Sequence, residues 1–170
     1  MATARTSEDT RKSPARKAKP EMDAIQLLKA DHRQVEEWFE EFEKAKADRK
    51  REILAHKICT ALTVHTQIEE EIFYPAFLEA TGDEDMNDEA YVEHQGAKDL
   101  IAQIEAGKPG DDKWDAKVTV LSEMIKHHVH EEEMRDGMFA KAKKSSMDLD
   151  EIGQQMAARK KELMKNAGKL

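Results

Sequence analysis

Four histidines and two glutamates fall on the apolar stripes of four successive helical segments: His32, then His65 with Glu69, then His94, then His128 with Glu132. Imidazole and carboxylate groups among apolar neighbours are costly to bury unless something satisfies them. Six of them directed inward from four helices call for a common partner, and a shared cation is the simplest one. The array therefore points to a helix bundle with a metal site inside it.

The stripes follow from spacing. From Met22 to about Lys46, Ile25, Leu28, Val35, Phe39 and Phe42 recur at intervals of three and four, with Asp23 as N-cap. At about 100° per residue His32 lies in the middle of that stripe. A second segment, about Asp48 to Leu78, buries Leu54, Ile58, Leu62, Ile72 and Ala76, with Pro75 expected to kink or end it. His65 and Glu69 sit one turn apart near that line, while His56 falls on the opposite, solvent side. Thr81 to Asn87 reads as a turn, and a third segment from about Asp88 to Ala106 sets Ala90, Ala97 and Ile101 around His94 before the breaker Gly107 to Asp111. The fourth, expected from about Trp114 to Lys144, carries Leu121, Met124, Ile125 and Phe139 on one face. In its run from His127 to Glu133 the periodicity selects His128 and Glu132, leaving His127 and His130 off the stripe. Asp148 and Glu151 are spaced as a capping box for a last amphipathic helix, packed across the bundle or, in a homodimer, against a second subunit.

A chain of 170 residues suits one domain with tails, and 38% charged against 5% aromatic residues favours long solvated helices over a sheet, so the class is all-α. The expected division is a disordered basic tail over 1–20, a bundle over 21–145 and a C-terminal helix over 146–170. The first twenty residues hold six basic and two acidic side chains, a net of +4, which leaves −12 on the rest of a chain whose total is −8. An acidic body argues against nucleic acid as a partner of the folded domain. Cys59 is the one cysteine, so no intrachain disulfide forms, and a partly buried structural thiol is expected there. With neither an apolar leader nor a run of about 20 apolar residues, a soluble cytoplasmic protein with no membrane partner is expected.

An H-x-x-x-E pair puts two donors on one helix face, and it occurs twice here, with one further imidazole from each of two other helices. Imidazole and carboxylate without thiolate suit iron or manganese, and bridging carboxylates favour a binuclear centre. Ferritin-like bundles pair Glu with His at i, i+3, a different spacing.

The stretches LLKADHRQVEEWFEEF around His32, HTQIEEEIFYP from His65, EHQGAKDLI around His94 and HHVHEEE from His127 resemble, in that order, the hemerythrin-like HHE cation-binding family. The resemblance implies an antiparallel up-down four-helix bundle holding two non-haem irons, oxo- or hydroxo-bridged, with His32, His65, Glu69, His94, His128 and Glu132 as ligands and the two glutamates as bridges. Oxygen carriers of the family take up dioxygen reversibly, and related bacterial proteins handle oxygen, nitric oxide, peroxide or iron in stress responses. This chain departs from the carrier pattern in two places. Lys98 stands where the carriers have a second histidine on the third helix, and Glu132 lies four residues after His128 where they have an aspartate at five, a spacing that Glu133 holds here. Water, Glu36 or Tyr91 is expected to complete the coordination, and Glu70, Glu71, Glu131 and Glu133 to be solvated or to orient the imidazoles. The departures weigh against reversible oxygen carriage and towards oxidation, peroxide chemistry or sensing; the expected function is to bind, sense or buffer oxygen, nitric oxide or iron, the alternative being an enzyme that reduces peroxide or nitric oxide. No catalytic residue is assigned.

Overall fold

The computed structural model describes residues 22–167, so the expected basic tail over 1–20 lies outside the described residues. Helix α1 (Ala24–Lys44) is opened by Asp23, whose Oδ1 accepts from Gln26 N at 2.8 Å while Gln26 Oε1 accepts from Asp23 N at 3.0 Å. Helix α2 (Asp48–Ile68) runs into a π-helical turn (Glu69–Phe73), where Tyr74 N–H bonds to Glu69 O, five residues back. Helix α3 (Tyr74–Thr81) continues beyond it, with Pro75 in its first turn, where a missing N–H does no harm. The expected kink at Pro75 thus takes the form of one widened turn just before it.

Gly82, at φ +67, donates to Leu78 O and closes α3 in the left-handed conformation that glycine accepts most readily. Asp83 then caps α4 (Glu84–Glu105) by accepting from Met86 N. The expected turn from Thr81 to Asn87 is consequently much shorter, because Asp83 starts the helix four residues before Asp88. Helix α5 (Trp114–Glu133) also corrects an expectation, since it does not run on to Lys144. The chain turns through Met134 to Gly137 and resumes as α6 (Met138–Lys144). Gly137 is required there for closeness: a Cβ would stand 2.3 Å from Glu131 O and 2.8 Å from Glu132 O. The last helix, α7 (Leu149–Ala167), packs on α1, α2 and the π turn of its own chain.

All regular structure among the described residues is helical, and α1, α2 with its extension, α4 and α5 form the bundle. Apolar side chains gather in two clusters, one around Phe39, Ile58, Trp114 and Leu121, the other around Leu28, Phe73, Phe77 and Met156. His32, His65, Glu69, His94, His128 and Glu132 are all buried. No helix among the described residues is long and apolar enough to cross a membrane.

Cys59 is 1% exposed within the first cluster, more deeply buried than expected. Burial, reinforced by the Glu105 charge, pushes its thiol up to about 12. The thiolate is the reactive form, so a thiol reagent at pH 8 is expected to leave Cys59 unmodified in the folded chain and to label it fully in denaturant. Rapid labelling under native conditions would contradict this packing.

Candidate metal centre

The four histidines point the same way. Each turns Nε2 inward: His32 Nε2 lies 3.2 Å from His65 Nε2, and His94 Nε2 lies 3.2 Å from His128 Nε2. The two glutamates link these pairs. Glu69 Oε2 is 3.3 Å from His65 Nε2 and 3.2 Å from His94 Nε2, whereas Glu132 reaches His32 Nε2 with Oε2 at 3.3 Å and His128 Nε2 with Oε1 at 3.4 Å. Ligand atoms of His32, His65, Glu69 and Glu132 lie within 4.8 Å of one another, as do those of Glu69, His94 and His128. All six residues singled out by periodicity are therefore brought together, with Glu69 common to both groups.

The outward nitrogens have carboxylate partners that form a ring around the bundle. His65 Nδ1 lies 3.2 Å from Asp31 Oδ2 of α1, His94 Nδ1 3.0 Å from Glu70 Oε1 of the π turn, His128 Nδ1 2.6 Å from Glu93 Oε2 of α4, and His32 Nδ1 2.7 Å from Glu133 Oε1 of α5. A carboxylate can only accept, so each Nδ1 carries the hydrogen and each neutral ring keeps its lone pair on Nε2, facing inward. Glu70 and Glu133 thus orient imidazoles, as one reading of the sequence had it. Asp31 and Glu93 were missed, although a signal was present: each acidic partner is the sequence neighbour of a proposed ligand, but serves the histidine of the next helix.

The residues expected to complete the site do not reach it. Glu36 pairs with Arg33 on the surface, and Tyr91 donates its hydroxyl hydrogen to Glu70 O at 3.2 Å. Tyr74, given no role in the sequence reading, does reach it. Its hydroxyl is 3.0 Å from His94 Nε2, 3.1 Å from Glu132 Oε1, 3.3 Å from Glu69 Oε2 and 3.4 Å from His128 Nε2. The π turn explains the omission. At about 100° per residue Tyr74 would sit about 140° away from Glu69, but a turn closed over five residues brings it back over the same face.

The model of the hemerythrin HHE cation binding domain matches residues 23–142. The chain belongs to this family. A crystal structure of a hemerythrin HHE cation binding domain-containing protein from Mycobacterium kansasii superposes on this hemerythrin HHE domain with a TM-score of 0.71 and 24% identity, covering 84% of this chain and 87% of that one. A curated relative, the DNA nickase of a Nostoc species, is 30% identical over 115 residues, which are 68% of this chain and 32% of that protein. The chain thus spans about a third of the length of this relative.

A cation-binding domain fits these residues on physical grounds. Opposed lone pairs at 3.2 Å repel in both histidine pairs, and Glu69 Oε1 and Glu132 Oε2 are buried without a hydrogen-bond partner. A cation between them turns each repulsion into a bond. Protons can substitute for it. Burial by itself would lower His65, but the charges of Glu69 and Asp31 outweigh it and carry His65 up to about 10. His128 is raised in the same way, with Glu132 foremost against burial, and Glu69 is held well below the usual carboxylate range, with His65 foremost against burial.

A metal must displace these protons, so loading is expected to acidify a weakly buffered solution, and affinity to rise as pH increases from about 6.5 towards 10. Without metal the sign reverses for stability. The protonated His65 stabilises the fold fully below its unfolded value of 6.5, and that contribution is lost as pH rises through about 10. Indicator-dye titration checks the first expectation and thermal melts of metal-free protein the second. Proton-neutral loading would contradict the assigned protonation.

Proposed function

We propose that the chain holds two non-haem iron ions, with His32, His65, Glu69, His94, His128 and Glu132 as ligands and the two glutamates bridging, and that it binds, senses or buffers a diatomic gas, oxygen or nitric oxide, or iron itself. The observation that carries this is the pair of Nε2–Nε2 contacts at 3.2 Å beside buried carboxylate oxygens without donors. Absence of thiolate from the cluster favours iron or manganese over structural zinc. A bound iron pair would supply electrons to a small ligand.

The chain's own residues supply the rest. A cavity of about 20 Å³ lies between the four imidazoles and the apolar side chains of Val35, Leu62, Ile125 and Val129. A space of this size accommodates about one water-sized guest. The ring of Asp31, Glu70, Glu93 and Glu133 keeps the imidazoles aimed inward. Tyr74 holds a proton at the centre: burial, with the charges of Glu132 and Glu69, raises its hydroxyl well above the usual 10.

The place of that hydroxyl, within hydrogen-bond reach of His94, Glu132 and Glu69, favours a second reading, an enzyme that reduces peroxide or nitric oxide with a supplied reductant, in which Tyr74 donates a hydrogen bond to the reacting ligand and keeps its proton. DNA nicking is not carried over from the Nostoc protein, since the net −12 beyond the first twenty residues repels a phosphate backbone.

Absorption spectra of anaerobically reduced, iron-loaded protein distinguish the readings. A charge-transfer band that forms in air and reverses when oxygen is removed supports binding or sensing. Irreversible oxidation, with many turnovers of peroxide or nitric oxide when reductant is present, supports the enzyme. No spectral response to oxygen, nitric oxide or peroxide would contradict both.

A further inference from the structure

Each carboxylate of the outer ring has a second, basic partner. Arg33 Nη2 donates to Glu133 Oε1 at 2.5 Å, Lys98 Nζ to both oxygens of Glu70 at 2.6 and 2.7 Å, and His127 Nε2 lies 3.3 Å from Glu93 Oε1. In these three cases the basic residue belongs to the helix of the histidine being oriented: Arg33 with His32, Lys98 with His94, His127 with His128. Asp31, which orients His65, would by this pattern draw its partner from α2. Nothing basic is available there, because Val64 and Thr66 flank His65 and Ala61 and Glu69 lie one turn away on either side. Lys160 Nζ takes the place, donating to Asp31 Oδ1 from α7. Helix α7 lies wholly beyond residues 23–142 that define the family match.

The packing of α7 is built to deliver that lysine. At Gly153 the backbone of α7 comes so near the start of α1 that a Cβ would stand 2.7 Å from Ala24 N and 2.8 Å from Asp23 C. Lys160 is seven residues beyond Gly153, and Asp31 seven beyond Ala24. Two helices side by side in the same direction therefore meet again after about 10 Å, two turns further on. Met156, 0% exposed, shares an apolar cluster with Ala24, Ile25 and Leu28 of α1. Next to Lys160, Arg159 clamps both oxygens of Glu71 in the π turn, at 2.7 and 3.0 Å.

We propose that α7 is a working part of the metal centre, with Lys160 as a positioning residue that fixes Asp31 against the outer nitrogen of His65 and so strengthens retention of the cation held by His32, His65, Glu69 and Glu132. This rests on the iron-binding function proposed above. The Asp31 side chain is 15% exposed and that of Lys160 35%, so the pair is shielded more than the fully exposed ion pairs that contribute little. Loss of Lys160 frees Asp31 to turn to solvent, and His65 then loses the acceptor that holds its ring.

The test uses the full chain loaded with ferrous iron under anaerobic conditions, with release followed in excess ferrous chelator. Lys160→Met keeps the aliphatic stem and removes the charge, and is expected to release iron about 10- to 100-fold faster, the usual effect of disturbing a group that orients a metal ligand. Its helical signal and melting temperature should stay close to wild type. Lys160→Arg should restore slow release, and Lys161→Met, at an exposed neighbour, should match wild type. Arg159→Met loosens α7 without touching Asp31. Equal acceleration in that variant would reduce Lys160 to a packing role and overturn the proposal. Normal loading with wild-type release from Lys160→Met would overturn it alone, whereas a wild-type chain that takes up no iron would overturn the proposed function as well.

Discussion

Glu69→Gln is expected to remove both metal ions while leaving the helices in place. Glu69 is common to both ligand groups and fully buried, and its Oε2 approaches one histidine of each pair, His65 at 3.3 Å and His94 at 3.2 Å. Glutamine conserves volume and shape, so the surrounding core has no cavity to close. What changes is charge and hydrogen bonding. The carboxylate that would neutralise two cations becomes an amide, and its NH2 can donate to the Nε2 lone pairs that otherwise attract metal. Metal-free Glu69→Gln should melt below the metal-free wild type near neutral pH, since the buried charge that does most to hold the His65 proton has gone. Metal analysis alongside melting curves separates these effects. Wild-type metal content in this variant would show that Glu69 is not the shared ligand.

Gly137→Ala is expected to lower stability and to disturb the site from outside it. The backbone at Gly137 has φ −75 and ψ −176, which alanine adopts without strain, so the obstacle is space alone. A Cβ 2.3 Å from Glu131 O and 2.8 Å from Glu132 O meets backbone, which has no rotamer to escape into. The corner from Met134 to Gly137 must open, and the end of α5 that moves with it carries Glu132, which faces His128, and Glu133, which faces His32. Overpacking of this kind costs about 1–3 kcal/mol, and weaker metal retention should accompany it. Gly96→Ala is a matched control. There a Cβ meets only the mobile end of Met124, at 2.7 Å, inside helix α4. Removing a helical glycine gains up to about 1 kcal/mol, so the two alanines should shift the melting temperature in different directions. A melting temperature and metal content for Gly137→Ala equal to wild type would contradict the close approach.

Most of the architecture is legible in the sequence because amphipathic helices report their own buried face. Ile25, Leu28, Val35, Phe39 and Phe42 are all buried on α1, with His32 among them. The same spacing found His65, Glu69, His94, His128 and Glu132, and kept His56, His127 and His130 outside. Two of the misses share a cause, since a fixed rotation of about 100° per residue presumes an unbroken α-helix. One widened turn from Glu69 to Phe73 is enough to hide Tyr74, and the corner at Gly137 ends a helix that apolar spacing alone would carry on to Lys144. Asp31 and Glu93 escaped for a different reason. Each is half-buried beside a histidine of its own helix, but acts on a histidine of the next, and periodicity along one helix is blind to a contact between two. Lys160 is further still from its partner, 129 positions along the chain.

In the proposed centre two ions sit between the histidine pairs and share Glu69. Anomalous scattering at the iron edge from crystals of the iron-loaded chain tests it most directly. The expected map has two peaks, one beside His32 and His65 and one beside His94 and His128, each within reach of Glu69 and Glu132. A single peak, or peaks away from these six side chains, would contradict the account.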